Sequence, residues 1–300
     1  MPTQYFYGGA QGQRETMEDI ELVADDKESG WQLFAVCDGH AGKSVVNEMK
    51  QRLPGALFDP LRKSYLDKKY DALLGVKEAK ALVTNAIVNL DRKLFEVVKG
   101  RGRGSGCTLV AALFHPGTRQ LILMNVGDSR AVYQQNIMDA KSGGGGSPGE
   151  LVETRDHKPN DAKEMARVHA AGSFVKGNRV GGMLAMSRAM GDFPLKKSKT
   201  LAYDPVSGAV CAFPDVYVGK VHRSGGTMVL ACDGIWDVLS SSDVIQHAKE
   251  RYGSYKSGGA VTKDKGKAVD NPAKSLVRLA YSKGSTDNMT ALVVVLPAGL

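Results

Sequence analysis

The chain has 300 residues, 42% of them hydrophobic and 24% charged, with a formal net charge of +8. That balance is ordinary for a soluble globular protein, and a core of this size needs no disulfide staples. No apolar run reaches the roughly 18 residues of a membrane span, the start Met1-Pro2-Thr3-Gln4 lacks the regions of a signal peptide, and Pro2 excludes myristoylation at this start.

Taken in chain order, Glu21 to Ala24 and Trp31 to Cys37 read as strands separated by a polar turn, Asp25 to Gly30. A helix is expected after Gly42, with Val45, Val46, Met49 and Leu53 on one face and Pro54 ending it. A longer helix from about Lys77 to Val98 keeps the helical period through Ala79, Leu82, Val83, Ala86, Ile87, Leu90, Leu94 and Val97. A β-meander follows: Cys107 to Phe114, Arg119 to Val126, then Gly127-Asp128-Ser129 turning into Arg130 to Gln134. Its short connections require antiparallel pairing. Leu151 to Thr154 resumes a strand after a loop at 141–149. Asn160 or Asp161 can cap a helix running to about Ala171, with Gly172 just past its end. Ser240 to Asp243 starts another helix, and Asn271 with Pro272 a third. Between these two lies a polar stretch, 253–270, expected to be an exposed loop. Met228 to Cys232 and Met289 to Leu296 are unbroken apolar runs and read as central strands. The pattern predicts an α+β fold in one domain spanning 1–300, with sheets packed together and covered by helices.

Acidic residues sit at the ends of these apolar strands. Phe34-Ala35-Val36-Cys37-Asp38-Gly39 and Val229-Leu230-Ala231-Cys232-Asp233-Gly234 each bring an aspartate out of a buried run. Asp-Gly alone is a common turn dipeptide. Two such aspartates at the mouth of a core lose hydration and need a partner, and a divalent cation serves several carboxylates at once. Glu18 and Asp19 precede a strand, Asp128 lies in a tight turn, Asp237 follows Asp233 by four residues, and Asp287 stands just before the last strand. Oxygen ligands without cysteine favour Mg²⁺ or Mn²⁺ over zinc. Cys37, Cys107, Cys211 and Cys232 form no C-x-x-C pair, which argues against structural zinc and for a reducing compartment, hence an intracellular location, cytoplasmic or nuclear. Cys37 and Cys232 read as core packing.

These residues resemble the PPM family, also called protein phosphatase 2C. The similarity covers nearly the whole chain and rests on eight ordered motifs: Arg14-Glu15-Thr16-Met17-Glu18-Asp19, Asp38-Gly39-His40-Ala41-Gly42, Ser105-Gly106-Cys107-Thr108, Gly127-Asp128-Ser129-Arg130, Asp156-His157-Lys158-Pro159, Leu184 to Asp192, Asp233-Gly234-Ile235-Trp236-Asp237 and Ser285-Thr286-Asp287-Asn288-Met289. The resemblance implies a four-layer α-β-β-α sandwich of two mainly antiparallel sheets flanked by helices. It implies hydrolysis of phosphoserine and phosphothreonine in proteins by a water between two Mn²⁺ or Mg²⁺ ions, with no covalent intermediate.

By the same resemblance, Asp38 bridges the two metals and the Gly39 carbonyl joins the second. Asp233 and Asp287 bind the first, and Glu18 and Asp19 hold the second directly or through water. Asp128, Asp237 and Asp233 match a weaker third site. Arg14 grips substrate phosphate, and its guanidinium fork suits phosphate oxygens. His40 matches the general acid for the leaving oxygen. Dull competitors exist: Asp128 as a turn former, Asp237 as a local cap, His40 as a structural hydrogen-bond partner. The residues six places after each cysteine are Lys43, Leu113, Tyr217 and Val238, so no C-x5-R loop of the tyrosine-phosphatase kind exists. A variable flap is expected near 193–210, with Lys196, Lys197 and Lys199 making it mobile and basic. The expected partners are phosphoprotein substrates, for a monomer that binds neither membrane nor nucleic acid, since the basic residues are spread along the chain. The competing functions are a pseudophosphatase scaffold and a basic nucleic-acid binder.

Overall fold

Strands that read as unbroken apolar runs must be covered on both faces, and that requirement shapes this chain. The computed structural model describes residues 2–69, 71–98, 104–136, 149–256 and 271–299. It begins with β1 (Gln4–Ala10), β2 (Ile20–Asp25), β3 (Gln32–Cys37) and the short β4 (Gly39–His40), then α1 (Ser44–Asp67) and α2 (Val76–Val97). Next come β5 (Gly106–Cys107), β6 (Leu109–His115), β7 (Gln120–Val126), β8 (Arg130–Gln135) and β9 (Leu151–Glu153). After α3 (Ala162–Ala170) stand the small β10 (Val175–Lys176), β11 (Arg179–Val180) and β12 (Met190–Gly191). The remainder is β13 (Asp215–Lys220), β14 (Gly226–Ala231), α4 (Asp233–Trp236), α5 (Ser241–Lys256), α6 (Pro272–Ser282) and β15 (Met289–Leu296).

Two five-stranded antiparallel sheets, β1-β15-β14-β8-β9 and β13-β7-β6-β3-β2, form the centre. Period-two alternation sends Phe34 and Val36 of β3 between the sheets, against Met228, Leu230, Leu292 and Val294. Leu33, Ala35 and Cys37 point the other way, toward Met49 and Leu53 of α1 and Val83 and Ile87 of α2. On the opposite outer face, Val229, Ala231, Ala291 and Val293 meet Val244 and Ile245 of α5 and Leu276 and Ala280 of α6. This is the expected four-layer α-β-β-α sandwich. The caps fall as expected: Asp161 accepts from the Lys163 amide at 3.0 Å and Asn271 from the Lys274 amide at 2.8 Å. No helix among the described residues is long and apolar enough to cross a membrane.

Four expectations need correction. α1 does not stop at Pro54; it runs on through Pro54 and Pro60 to Asp67. A proline inside a helix costs about 3 kcal/mol through its lost donor and ring clash. Beyond Pro54, however, Leu57, Phe58 and Leu61 continue the same buried face. Each of those contributes roughly 1.5–3 kcal/mol, enough to carry the helix through. Secondly, Gly253 to Lys256 belong to α5 rather than to a loop; residues 257–270 of that stretch, and 141–148 of the other loop, lie outside the described residues. Thirdly, β1 gave no strand signal in the sequence, yet it pairs with β15 over seven residues, Gln4 with Val295 through Ala10 with Met289.

The fourth concerns 193–210. Lys196 is no part of a basic surface: it is 0% exposed, and its Nζ lies 2.6 Å from Oδ1 of Asp91, itself 0% exposed, on α2. Asp91 also accepts from the Gly191 amide at 2.8 Å and the Tyr203 hydroxyl at 2.8 Å. Phe95, Phe193 and Tyr203 pack around this pair, with the Phe95 and Tyr203 rings stacked at 4.3 Å. Only Lys197 and Lys199 face solvent.

Candidate active site and metal centre

β3 and β14 end side by side in the sandwich and deliver Asp38 and Asp233 to the same mouth. Asp38 is clamped by its backbone. Its amide donates to Thr108 Oγ1 at 3.0 Å, its carbonyl accepts from the Thr108 amide at 2.9 Å, and Thr108 Oγ1 lies 2.6 Å from Ser129 Oγ. The glycines after the two aspartates serve close approach rather than a turn. A Cβ on Gly39 would stand 2.5 Å from the Glu18 carbonyl oxygen, and one on Gly234 would stand 2.0 Å from that of Asn288. Asp233 opens α4 and Asp237 follows one turn later, so both carboxylates share a face.

The loops bearing the remaining acids are tied together by Asn288. Its Oδ1 accepts from the Glu18 amide at 2.8 Å, and its Nδ2 donates to the carbonyls of Gln11 and Thr16 at 2.8 and 3.0 Å. The first motif is thereby fastened to the residue after Asp287. Glu18 is held in turn by Thr16 Oγ1 and the Gly42 amide, which donate to its two oxygens at 3.0 and 3.2 Å.

The result is a cleft of about 730 Å³ lined by Arg14, Glu18, Asp38, Gly39, His40, Asp128, Asp233, Asp237 and Asp287. Asp19 lies behind this lining, 7% exposed, with ligand oxygens of Asp19 and Asp38 and the Cys232 sulfur all within 4.8 Å of one another. All ten residues singled out in the sequence therefore converge. Burial, then repulsion from Asp19, Asp233 and Asp128, pushes the Asp38 carboxyl well above the usual carboxylate range. Burial pushes Asp19 up to about 6, and burial together with Asp128, Asp237 and Asp287 pushes Asp233 up to about 7. Asp237 is raised as well, chiefly by burial, with Lys158 opposing.

Crowded carboxyls of this kind want a cation. The donor set fits a hard divalent ion: neither oxygen of Asp19, nor Oδ1 of Asp128, has a hydrogen-bond partner among the described residues. Those atoms are buried acceptors left free for a ligand. Cys232 fits poorly as a ligand. Burial pushes its thiol far up, and its sulfur already donates to the Asn288 carbonyl at 3.4 Å and accepts from the Thr290 amide at 3.1 Å. It packs as a neutral wall, and all four cysteines are free and buried.

Two cationic groups and a histidine border the acids. Arg14, 63% exposed, reaches Asp287 with Nη2 at 2.6 Å. Lys158 Nζ lies 2.6 Å from Oδ2 of Asp128, whose carboxylate is 1% exposed. His40 turns Nε2 toward both oxygens of Asp192, at 2.9 and 2.8 Å. Burial alone would lower the imidazole pKa, but the Asp192 hydrogen bond and charge outweigh it and raise it. Gly106 makes room for this pair: a Cβ there would stand 2.0 Å from Asp192 Oδ2 and 2.7 Å from His40 Nε2.

Sequence reasoning gave no role to Asp192 or Asn288, although both sit inside quoted motifs. The wall of the cleft also differs from expectation. Arg179, Met183, Leu184, Ala185 and Met186, on and after the β10–β11 hairpin, line it, whereas 193–210 does not.

The Protein phosphatase 2C family model matches residues 3–289. Protein phosphatase 1L of Bos taurus is 31% identical over 293 residues, 95% of this chain and 70% of that protein. Probable protein phosphatase 2C 59 of Arabidopsis thaliana is 32% identical over 298 residues, 97% of this chain and 78% of its own length. Among solved structures, the serine-threonine phosphatase 2C of Toxoplasma gondii has a similar fold, with a TM-score of 0.76 at 20% identity over 98% of this chain and 95% of that one.

Proposed function

Because the chain belongs to the protein phosphatase 2C family and is a protein serine/threonine phosphatase, we propose that the cleft around Asp38 is where it hydrolyses phosphoserine and phosphothreonine, with divalent cations as cofactors. One observation carries the assignment: Asp19 is buried, Asp38 and Asp233 are half-buried, and the three crowd together until their carboxyls resist ionisation, a cost that bound cations relieve.

Asp38, Asp233, Asp287, Glu18, Asp19 and the Gly39 carbonyl would hold two Mn²⁺ or Mg²⁺ ions, and Asp128, Asp233 and Asp237 a weaker third. When bound, the cations supply an acidified water and neutralise phosphoryl charge. Arg14 keeps most of its guanidinium exposed at the rim, where the fork binds phosphoryl oxygens. His40, held by Asp192, whose hydrogen bond and charge raise its pKa, gives its proton to the departing seryl or threonyl oxygen. Hydrolysis is direct in this reading, and the buried cysteines offer no thiol nucleophile for a covalent route. The substrates are phosphoproteins, and the chain acts as a monomer. Lys197 and Lys199, exposed on the 193–210 segment, favour acidic surfaces around the phosphorylated residue.

Asp38→Asn tests the assignment. Phosphate release from a phosphothreonine peptide in Mn²⁺ or Mg²⁺ is expected to fall on the order of 10³-fold, the loss of several kcal/mol of charge stabilisation. Calorimetric Mn²⁺ binding should weaken in parallel. A folded variant that keeps both activity and Mn²⁺ affinity refutes the assignment.

A further inference from the structure

Asp128 is buried, yet one of its oxygens is taken by an ammonium while the other has no hydrogen-bond partner among the described residues. The ammonium is delivered by a rigid segment. The His157 amide donates to the Gly127 carbonyl at 2.9 Å, and the Gly127 amide donates back to His157 Nδ1 at 3.1 Å. Arg130 grips Asp156 with two nitrogens at 2.9 and 2.8 Å, and Pro159 is buried. The Ser187 amide and hydroxyl both donate to the His157 carbonyl, at 2.9 and 3.0 Å. The lysine between these anchors is therefore pre-positioned, and little conformational freedom is lost in holding Asp128. Its side chain is only 34% exposed. Asp233 and Asp237 act on it electrostatically along with Asp128.

We propose that Lys158 is a built-in competitor for the outer cation site: its ammonium holds Asp128 where a divalent ion would, so an ion at Asp128, Asp233 and Asp237 must displace it. Lys158 is thereby the residue that makes the outer site weaker than the inner pair. The inference rests on reading those three aspartates as cation ligands. The inner acids meet a cation too, Arg14 at 2.6 Å from Asp287, but that side chain is 63% exposed against 34% for Lys158, and its pair is open to water where that of Lys158 and Asp128 is not.

The test counts and ranks bound Mn²⁺ on the full chain by calorimetry and by the electron paramagnetic resonance of free Mn²⁺. Lys158→Gln is expected to tighten the weakest ion about tenfold, or ~1.4 kcal/mol, and to leave the tighter ions unchanged. Lys158→Arg keeps the charge and should keep that ion weak, which separates charge from packing. Asp128→Asn should abolish the weakest ion with or without Lys158→Gln. If Lys158→Gln leaves its affinity unchanged or weaker while Asp128→Asn still removes it, the competitor role is overturned and the ligand assignment stands. If neither Asp128→Asn nor Asp237→Asn removes any ion, both are overturned. Circular dichroism of each variant checks the fold.

Discussion

Asp91→Ala removes one member of a pair in which both charges have 0% exposure. The change strands three donors at once: the Lys196 ammonium at 2.6 Å, the Gly191 amide at 2.8 Å and the Tyr203 hydroxyl at 2.8 Å. Breaking a buried pair by deleting one partner costs about 3–5 kcal/mol, because the other charge is left uncompensated. The two neutral donors push the loss toward the upper end of that range. Set against a total stability of roughly 5–15 kcal/mol, this is a large fraction. The double change Asp91→Leu with Lys196→Met leaves no buried charge and is expected to recover most of the loss, since apolar replacement of both partners is often neutral. Urea unfolding followed by fluorescence measures both variants. A cost for Asp91→Ala below about 1 kcal/mol, or a double variant no better than the single one, refutes the reasoning that this pair anchors segment 193–210 to α2.

Asp192→Asn takes away the carboxylate that raises the His40 pKa, and is expected to lower kcat on phosphothreonine peptides about 10- to 100-fold, a partial loss of the roughly 10²- to 10⁴-fold that general acid catalysis contributes. On p-nitrophenyl phosphate, whose leaving group needs no proton, kcat should change little; equal losses on both substrates argue against His40 as the acid. Cation binding should also release protons. Asp19 near 6 and Asp233 near 7 lie above the ordinary value near 4. The folded, metal-free chain thus holds protons that the unfolded chain has lost, so these groups stabilise it at low pH and that contribution fades as pH rises from about 4 to 7. Calorimetry of Mn²⁺ binding at pH 6 in two buffers of different ionisation enthalpy is expected to report about one to two protons released; heat independent of buffer refutes it.

What could be read in the sequence was whatever local pattern decides. Phe34 to Cys37, Val229 to Cys232 and Met289 to Leu296 are apolar without alternation because both faces are covered, and that alone marks them as central strands. β1 escaped because its burial alternates while its residue types do not: Tyr5 and Tyr7 face solvent on either side of the inward Phe6, and Gly8 and Gly9 follow with no side chain to mark a face. Pro54 misled because a local rule lost to the packing of Leu57, Phe58 and Leu61 farther along. Lys196 looked like a surface lysine because its partner Asp91 stands 105 positions away. His40 and Asp192 are 152 positions apart, and no periodicity links them. The acids of the cleft were legible for a different reason. Each leaves an apolar strand or a tight turn abruptly, and an ionisable group placed there signals its need for a partner in the sequence itself.

β15 is the last strand along the chain, yet it lies inside its sheet, bonded to β1 on one side and β14 on the other. Arg14 and Asp287, 273 positions apart, meet only when it is in place. Any break that removes β15 therefore leaves β1 without its hydrogen-bonding neighbour and Arg14 without Asp287. A chain cut before Asp287 loses the middle of a sheet and a cleft acid together.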